Sequence, residues 1–145
     1  YITIQSYRYR SSFKFIKNIS PEILPCITVN TILQPLVENS LQHGAAGTNG
    51  VCTIQVIGYA EGDSIFIDVI DDGCGCNSEM INQILNAGID MSKNYGIQNV
   101  NQRIKISFGE QYGLKYLNTN IGTHVRIHLP RLQKIPKNNL DDTKE

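Results

Sequence analysis

Apolar and polar positions recur at two different periods along the chain, and each change of period marks an element. Phe13, Phe15 or Ile16, and Ile19 against Lys14, Lys17 and Asn18 predict a half-buried strand over 13–19, closed by Ser20 and Pro21. From Thr31 to His43 the spacing becomes helical: Leu33, Leu36, Val37, Ser40 and Leu41 gather on one side. Glu38, Asn39 and Gln42 fall opposite, alongside Pro35, so a polar stripe faces away from the core. Pro35 has no amide hydrogen and belongs in the first turn or at a kink. The Gly-rich run from Gly44 to Gly50 then stops the helix.

Two β-branched runs follow, Cys52 to Tyr59 and Ser64 to Ile70, and the turn-like Glu61, Gly62 and Asp63 between them predict an antiparallel hairpin. Beyond it, Met80, Ile81, Ile84 and Leu85 return to helical spacing, with Asn77 or Ser78 as cap and Glu79 in the first turn. The loop Asp71-Asp72-Gly73-Cys74-Gly75 therefore joins a strand to a helix. Ala87 to Tyr95 lacks a period and reads as a mobile loop. Ile97, Val100, Ile104 and Phe108 then predict a third helix starting behind Gly96. Leu114 to Leu117 and Thr123 to Leu129 read as two more strands, and a polar tail begins at Arg131.

With 145 residues, 41% of them apolar, the chain suits one ordinary core. Thirteen basic residues balance thirteen acidic ones, so the basic footprint of a nucleic-acid or anionic-membrane binder is missing. No apolar run approaches the roughly 18 residues of a bilayer span. The chain opens on Tyr1 without a signal-peptide pattern and reads as a segment of a longer protein. A core of this size needs no stapling, so Cys26, Cys52, Cys74 and Cys76 read as reduced thiols. His124 and His128 share a strand face, but with Cys74 and Cys76 they lack the usual spacing of a zinc site.

Three places could carry chemistry. Asp71 ends a buried strand and is followed by two glycines whose missing side chains let a planar ligand approach the backbone. A carboxylate there can accept a hydrogen bond from the exocyclic amine of a heterocycle, although Asp-x-Gly-x-Gly alone is a weak signal. Glu38 and Asn39 are, on the plain view, the wet face of a helix. An amide oxygen is nevertheless a hard ligand of the kind Mg²⁺ accepts beside phosphates, and a neighbouring carboxylate can orient water or take a proton. Gly96, behind a stretch containing Ser92 and Lys93, opens a helix whose free amides can attract phosphate.

The order and spacing of these pieces are more specific than any one of them. Leu33-Gln34-Pro35-Leu36-Val37-Glu38-Asn39-Ser40-Leu41-Gln42-His43-Gly44 resembles the N box of the Bergerat-fold (GHKL) ATP-binding superfamily. Asp71 to Gly75 resembles its G1 box, and Tyr95-Gly96-Ile97-Gln98-Asn99-Val100-Asn101-Gln102-Arg103-Ile104 its G2 box. Leu-Gln-Pro-Leu-Val-Glu-Asn is similar to the wording of sensor histidine kinases of the LytS and YesM type. The resemblance covers about residues 1 to 130, including Gly122-Thr123. It implies an α/β (α+β) two-layer sandwich, a mixed and mainly antiparallel sheet covered on one face by three helices. Residues 1–12 would be a linker or the end of an upstream dimerisation helix, 13–130 the catalytic domain, and 131–145 the tail.

The resemblance also implies roles. Asn39 would ligate Mg²⁺, Glu38 would handle water or a proton near the γ-phosphate, and Asp71 would hold the adenine amine. Gly73 and Gly75 would make room for the base, Gly96 would shape the ATP lid, and Thr123 would reach adenine. His43 would touch a phosphate or only cap its helix, and Lys93 would contact phosphate or simply be solvated. Arg103 would bind phosphate or make a surface salt bridge. The implied function is protein histidine kinase activity: ATP binding and transfer of the γ-phosphate to a histidine on an upstream dimerisation domain, with a response regulator as partner. The parent would be a homodimeric, membrane-anchored bacterial receptor and this piece its cytoplasmic part, without membrane contact of its own. The chain departs from the pattern at Pro35, where many kinases carry another Asn, at Gln42, where Lys is common, and at Asn94, where the lid has another glycine. These departures keep open an alternative, a nucleotide-sensing ATP/ADP-binding module with negligible kinase activity.

Overall fold

The computed structural model describes residues 13–24, 26, 32–41, 52–87 and 95–132. Five strands form one sheet: β1 (Phe13–Ile19), β2 (Cys52–Glu61), β3 (Ser64–Asp71), β4 (Gly113–Leu117) and β5 (Thr123–Pro130), in the order β1-β2-β3-β5-β4. β1 runs parallel to β2, and every other pairing is antiparallel. Three helices, α1 (Leu33–Asn39), α2 (Ser78–Asn86) and α3 (Tyr95–Phe108), complete the two-layer α/β fold. No helix among the described residues is long and apolar enough to cross a membrane.

Alternation in β2 sets one face of the sheet. Cys52, Ile54 and Val56 are buried while Thr53, Gln55 and Ile57 are only half-buried. Register carries that face across the sheet, since Val56 stands opposite Val69 and Val69 opposite Val125. Leu36, Val37 and Leu41 from α1, Leu85 from α2, and Ile97, Val100 and Ile104 from α3 cover it. Burying each such aliphatic side chain stabilises the fold by about 1.5–3 kcal/mol. Pro35 lies in the first turn of α1, where its missing amide hydrogen breaks no helical bond. α1 widens at Ser40 and Leu41, both buried, and the residues that follow lie outside the described ones. The expected glycine stop, the loop before Tyr95 and the tail beyond Leu132 lie outside the described residues.

The ends of the other elements follow local chemistry. Glu61 pairs with Ser64, leaving Gly62 and Asp63 as a two-residue hairpin turn. Asn77, rather than Ser78, caps α2 by accepting the Met80 amide at 3.0 Å. α3 begins at Tyr95, one residue earlier than the pattern suggested. A short 3₁₀ turn at Pro21–Ile23 follows β1, and the side chain of Ile23 occupies the space where a Cβ at Gly58 would stand.

At the β4 edge, two side-chain amides take the place of a neighbouring strand. Asn82 of α2 donates to the Tyr116 carbonyl and accepts its amide, both at 2.8 Å. Asn101 of α3, almost wholly buried, accepts the Leu114 amide at 2.9 Å and donates to the Leu85 carbonyl.

The face of the sheet away from the helices holds a buried ion pair. Asp68 is 4% exposed and takes a two-pronged contact from Arg126, Nε to Oδ1 at 2.9 Å and Nη2 to Oδ2 at 3.0 Å. His124 Nε2 lies 3.0 Å from Oδ2. Burial alone would raise the carboxyl's pKa, but the hydrogen bonds and charges of Arg126 and His124 outweigh it and hold the value below normal. The folded-state pKa is thus lower than the unfolded one. The pair therefore contributes stability above about pH 4, where an unfolded aspartate is charged, and loses it as pH falls through the folded value. Urea unfolding from pH 7 to pH 3 should show a loss of stability that Asp68→Asn largely removes. An identical acid slope in the variant would assign the loss to other groups.

Candidate functional site

Asp71 closes β3 with its side chain on the helix-covered face, 4% exposed. Strand register sets it opposite Thr123, the first residue of β5. Its Oδ1 accepts the Thr123 amide at 3.2 Å and the Gly73 amide at 3.0 Å. Both bonds fall on the same oxygen, so Oδ2 makes no hydrogen bond to any described residue. That oxygen is an acceptor, and an exocyclic amine is a donor that could meet it.

The neighbouring aspartate does different work. Asp72 Oδ1 accepts the Thr53 amide at 2.7 Å while the Asp72 amide donates to the Thr53 carbonyl, which straps the loop to β2. The turn before β5 is held equally closely. Gly122 has φ +68°, and a Cβ there would lie 1.8 Å from the Asp71 carbonyl oxygen. Gly75 has φ +78°, and its Cβ would come within 2.9 Å of the Gly122 carbonyl oxygen. Two backbone segments therefore meet at a distance only glycine permits, with Asp71 at the junction. The Thr123 side chain, for its part, lies beside the Cys76 thiol.

On α1, Glu38 and Asn39 are half-buried. Glu38 Oε1 accepts from Gln34 Nε2 at 3.3 Å, whereas the Asn39 side chain makes no hydrogen bond to a described residue and can turn its oxygen to a cation. Gly96, exposed in the first turn of α3, faces Pro35: a Cβ on Gly96 would sit 3.6 Å from the Pro35 Cβ. The departure at position 35 thus lies between the N-box helix and the start of the G2 helix. Among the described residues no three His, Cys, Asp or Glu side chains gather as metal ligands. His43 and Lys93, like Gln42 and Asn94, fall outside the described residues.

Sequence reasoning passed over two buried polar residues of the G2 helix. Besides Asn101, Gln98 is 5% exposed, and its Nε2 finds no acceptor among the described residues. Both flank the stripe of Ile97, Val100 and Ile104 one turn apart, a spacing that would have signalled a wider buried face. The two strand histidines are engaged away from Asp71's face of the sheet, His124 with Asp68 and His128 with the Ser64 hydroxyl at 2.8 Å. A cavity of about 500 Å³ along β4, lined by residues including Tyr112, Lys115 and Arg126, contains none of the candidate site residues.

Known proteins share this fold. The catalytic domain of histidine kinase ThkA superposes with a TM-score of 0.67 at 14% identity, covering 91% of this chain and 87% of that one. The same kinase in a complex with the response regulator protein TrrA gives 0.64 over 89% of this chain and 37% of that one, at 15% identity. In sequence, the sensor histidine kinase YesM of Bacillus subtilis is 30% identical over 131 residues, 90% of this chain and 22% of YesM. The sensor protein LytS of Staphylococcus haemolyticus is 24% identical over 132 residues, 90% of this chain and 23% of LytS. The chain thus spans less than a quarter of the length of these relatives. A family profile described as "Histidine kinase-, DNA gyrase B-, and HSP90-like ATPase" matches residues 27–133, from before α1 to just past β5. With the three boxes and the sheet that joins them, that match establishes that this chain belongs to the histidine kinase-, DNA gyrase B- and HSP90-like ATPase family.

Proposed function

We propose that this chain is the ATP-binding catalytic domain of a two-component sensor histidine kinase and directs the γ-phosphate of ATP to a histidine on a separate upstream segment. The observation that carries the proposal is Asp71: a buried carboxylate with both of its hydrogen bonds on Oδ1, beside a glycine-packed loop. In this reading Oδ2 accepts the adenine amine, Gly73 and Gly75 leave room for the ring, and Thr123 borders the base. The first amides of α3, around Gly96, face the phosphates, where a helix N-terminus favours negative charge. Asn39 would hold Mg²⁺, and the ion neutralises charge on the phosphates. Glu38 orients water or takes a proton, and His43 and Lys93 are additional phosphate contacts.

Positioning and charge stabilisation account for most of the catalysis in phosphoryl transfer, which suits a site built from amides, glycines and one metal ligand. The acceptor lies elsewhere in this reading, because His124 and His128 are tied into the opposite face of the sheet. The likeness to a kinase captured with its response regulator supports a regulator as downstream partner. In this reading the chain is the cytoplasmic domain of a membrane-anchored, homodimeric parent.

The test has two stages. Calorimetry should show ATP and ADP binding to the reduced chain, and Asn39→Ala should weaken Mg-ATP binding about tenfold while leaving the melting temperature without nucleotide unchanged. With γ-labelled ATP the chain alone should stay unlabelled and should phosphorylate an upstream helical segment bearing the acceptor histidine. Stoichiometric phosphohistidine on the isolated chain would overturn the separate-acceptor claim and turn attention to His43. ATP binding with no transfer to the restored parent would favour the nucleotide-sensing alternative, for which the proline at position 35 beside Gly96 speaks.

A further inference from the structure

The four cysteines divide into two classes. Cys26 and Cys52 are buried, whereas Cys74 and Cys76 are exposed on the loop that leaves Asp71. Two residue steps keep the Cα atoms of Cys74 and Cys76 within about 7 Å, the upper end of the disulfide range. The residue between them is Gly75, whose lack of a side chain lets the loop refold around a small ring.

The same loop is attached to the adenine site at three points. Gly73, next to Cys74, donates to Asp71; Gly75 packs on the Gly122 carbonyl; and Cys76 lies beside the Thr123 side chain. Drawing the two sulfurs together withdraws Cys76 from Thr123 and turns the peptides on both sides of Gly75. Those peptides hold the loop against Gly122 and the end of β3. We infer that Cys74 and Cys76 form a redox-active dithiol, closed to a disulfide by a low-molecular-weight disulfide, and that closure shuts the adenine site; the second half of this inference rests on the nucleotide reading above.

The chemistry balances through two exchanges. The Cys74 thiolate attacks one sulfur of the small disulfide, forming a mixed disulfide and expelling one small thiolate, which takes up the Cys74 proton. Cys76 then attacks the Cys74 sulfur and expels the second small thiolate, which takes the Cys76 proton. The protein is oxidised by two electrons and the small disulfide is reduced to two thiols. Burial, with added charge repulsion from Asp71 and Cys74, pushes the Cys76 thiol up despite the neighbouring Thr123 side chain, so Cys76 carries less thiolate and does not open the exchange. Burial, and next the hydrogen bond with Asp72, push Cys52 up to about 11, so it stays protonated and unreactive at neutral pH.

Oxidised glutathione is the probe. A glutamate-specific protease releases residues 62–79, which contain Cys74 and Cys76 but neither of the other cysteines. After treatment this peptide should be lighter by two hydrogens. ATP affinity measured by calorimetry should fall at least tenfold and return with dithiothreitol. The double variant Cys74→Ser, Cys76→Ser should bind ATP like the reduced protein and ignore oxidised glutathione. A peptide that keeps both thiols or ends as a stable glutathione adduct, a disulfide form that binds ATP as well as the reduced one, or a double variant that remains sensitive would each overturn the inference. Reduced protein that fails to bind ATP overturns the nucleotide reading itself, and the peptide mass then still decides whether the pair is a dithiol.

Discussion

Asp71→Asn is expected to lower ATP affinity about a hundredfold, close to 2.7 kcal/mol, the scale of one hydrogen bond to a buried charge. The magnitude follows from where the two existing bonds lie. Oδ1 already serves the amides of Gly73 and Thr123, so the asparagine oxygen must take that position and the new NH₂ group must point where Oδ2 stood. A donor then meets the donor of the adenine amine. Rotating the side chain only moves the clash onto the two backbone amides. Guanine presents a 6-oxo acceptor, so the unaltered protein should bind GTP at least a hundredfold more weakly than ATP, and the variant should narrow that ratio. Calorimetry with both nucleotides on both proteins measures all four affinities. An unchanged ATP affinity in the variant would remove Asp71 from the site.

Gly122→Ala is expected to destabilise the fold by about 3 kcal/mol, a fall of roughly 10 °C in melting temperature, and to remove ATP binding with it. An alanine there adds the cost of a left-handed backbone to a Cβ placed 1.8 Å from the Asp71 carbonyl oxygen, a clash with main chain that cannot rotate away. Gly75→Ala meets the Gly122 carbonyl at 2.9 Å and should cost less, about 2 kcal/mol. Gly62→Ala meets nothing within 4 Å and carries only the conformational cost, about 1 kcal/mol. Thermal melts of the three variants test the ranking. Equal losses at all three positions would show that backbone conformation, not contact with Asp71, sets the requirement at Gly122.

Elements whose determinants are local were legible in the chain. Alternation at Cys52, Ile54 and Val56 signalled β2 because each step along a strand changes face, and Asn77 signalled the start of α2 because its side chain reaches only three residues ahead. Asp71 and Asn39 stood out for the same reason: a carboxylate before glycines and an amide on a wet helix face are local patterns. What depended on strand pairing was hidden. Thr123 was named only through the family resemblance, since 52 residues separate it from Asp71 and only the β3–β5 register sets them side by side. Asp68 looked like a polar break in an apolar run because its partners Arg126 and His124 lie on another strand. Asp72 drew no separate reading, because the strand whose backbone its carboxylate holds lies 19 residues away. The widening of α1 at Ser40 and Leu41 was not legible, because apolar spacing reports which side is buried and carries less about where the hydrogen-bond ladder widens.

The two asparagines along β4 also bear on how copies of this protein behave when crowded together. An exposed strand edge is a template on which a second chain can continue the sheet, the first step toward aggregation. Here the amide hydrogen of Leu114 and both main-chain groups of Tyr116 are already taken by Asn101 and Asn82. An arriving strand would have to displace side chains anchored in two helices before it could form its own bonds. Extension of the sheet along these three bonds is therefore blocked by two uncharged amides.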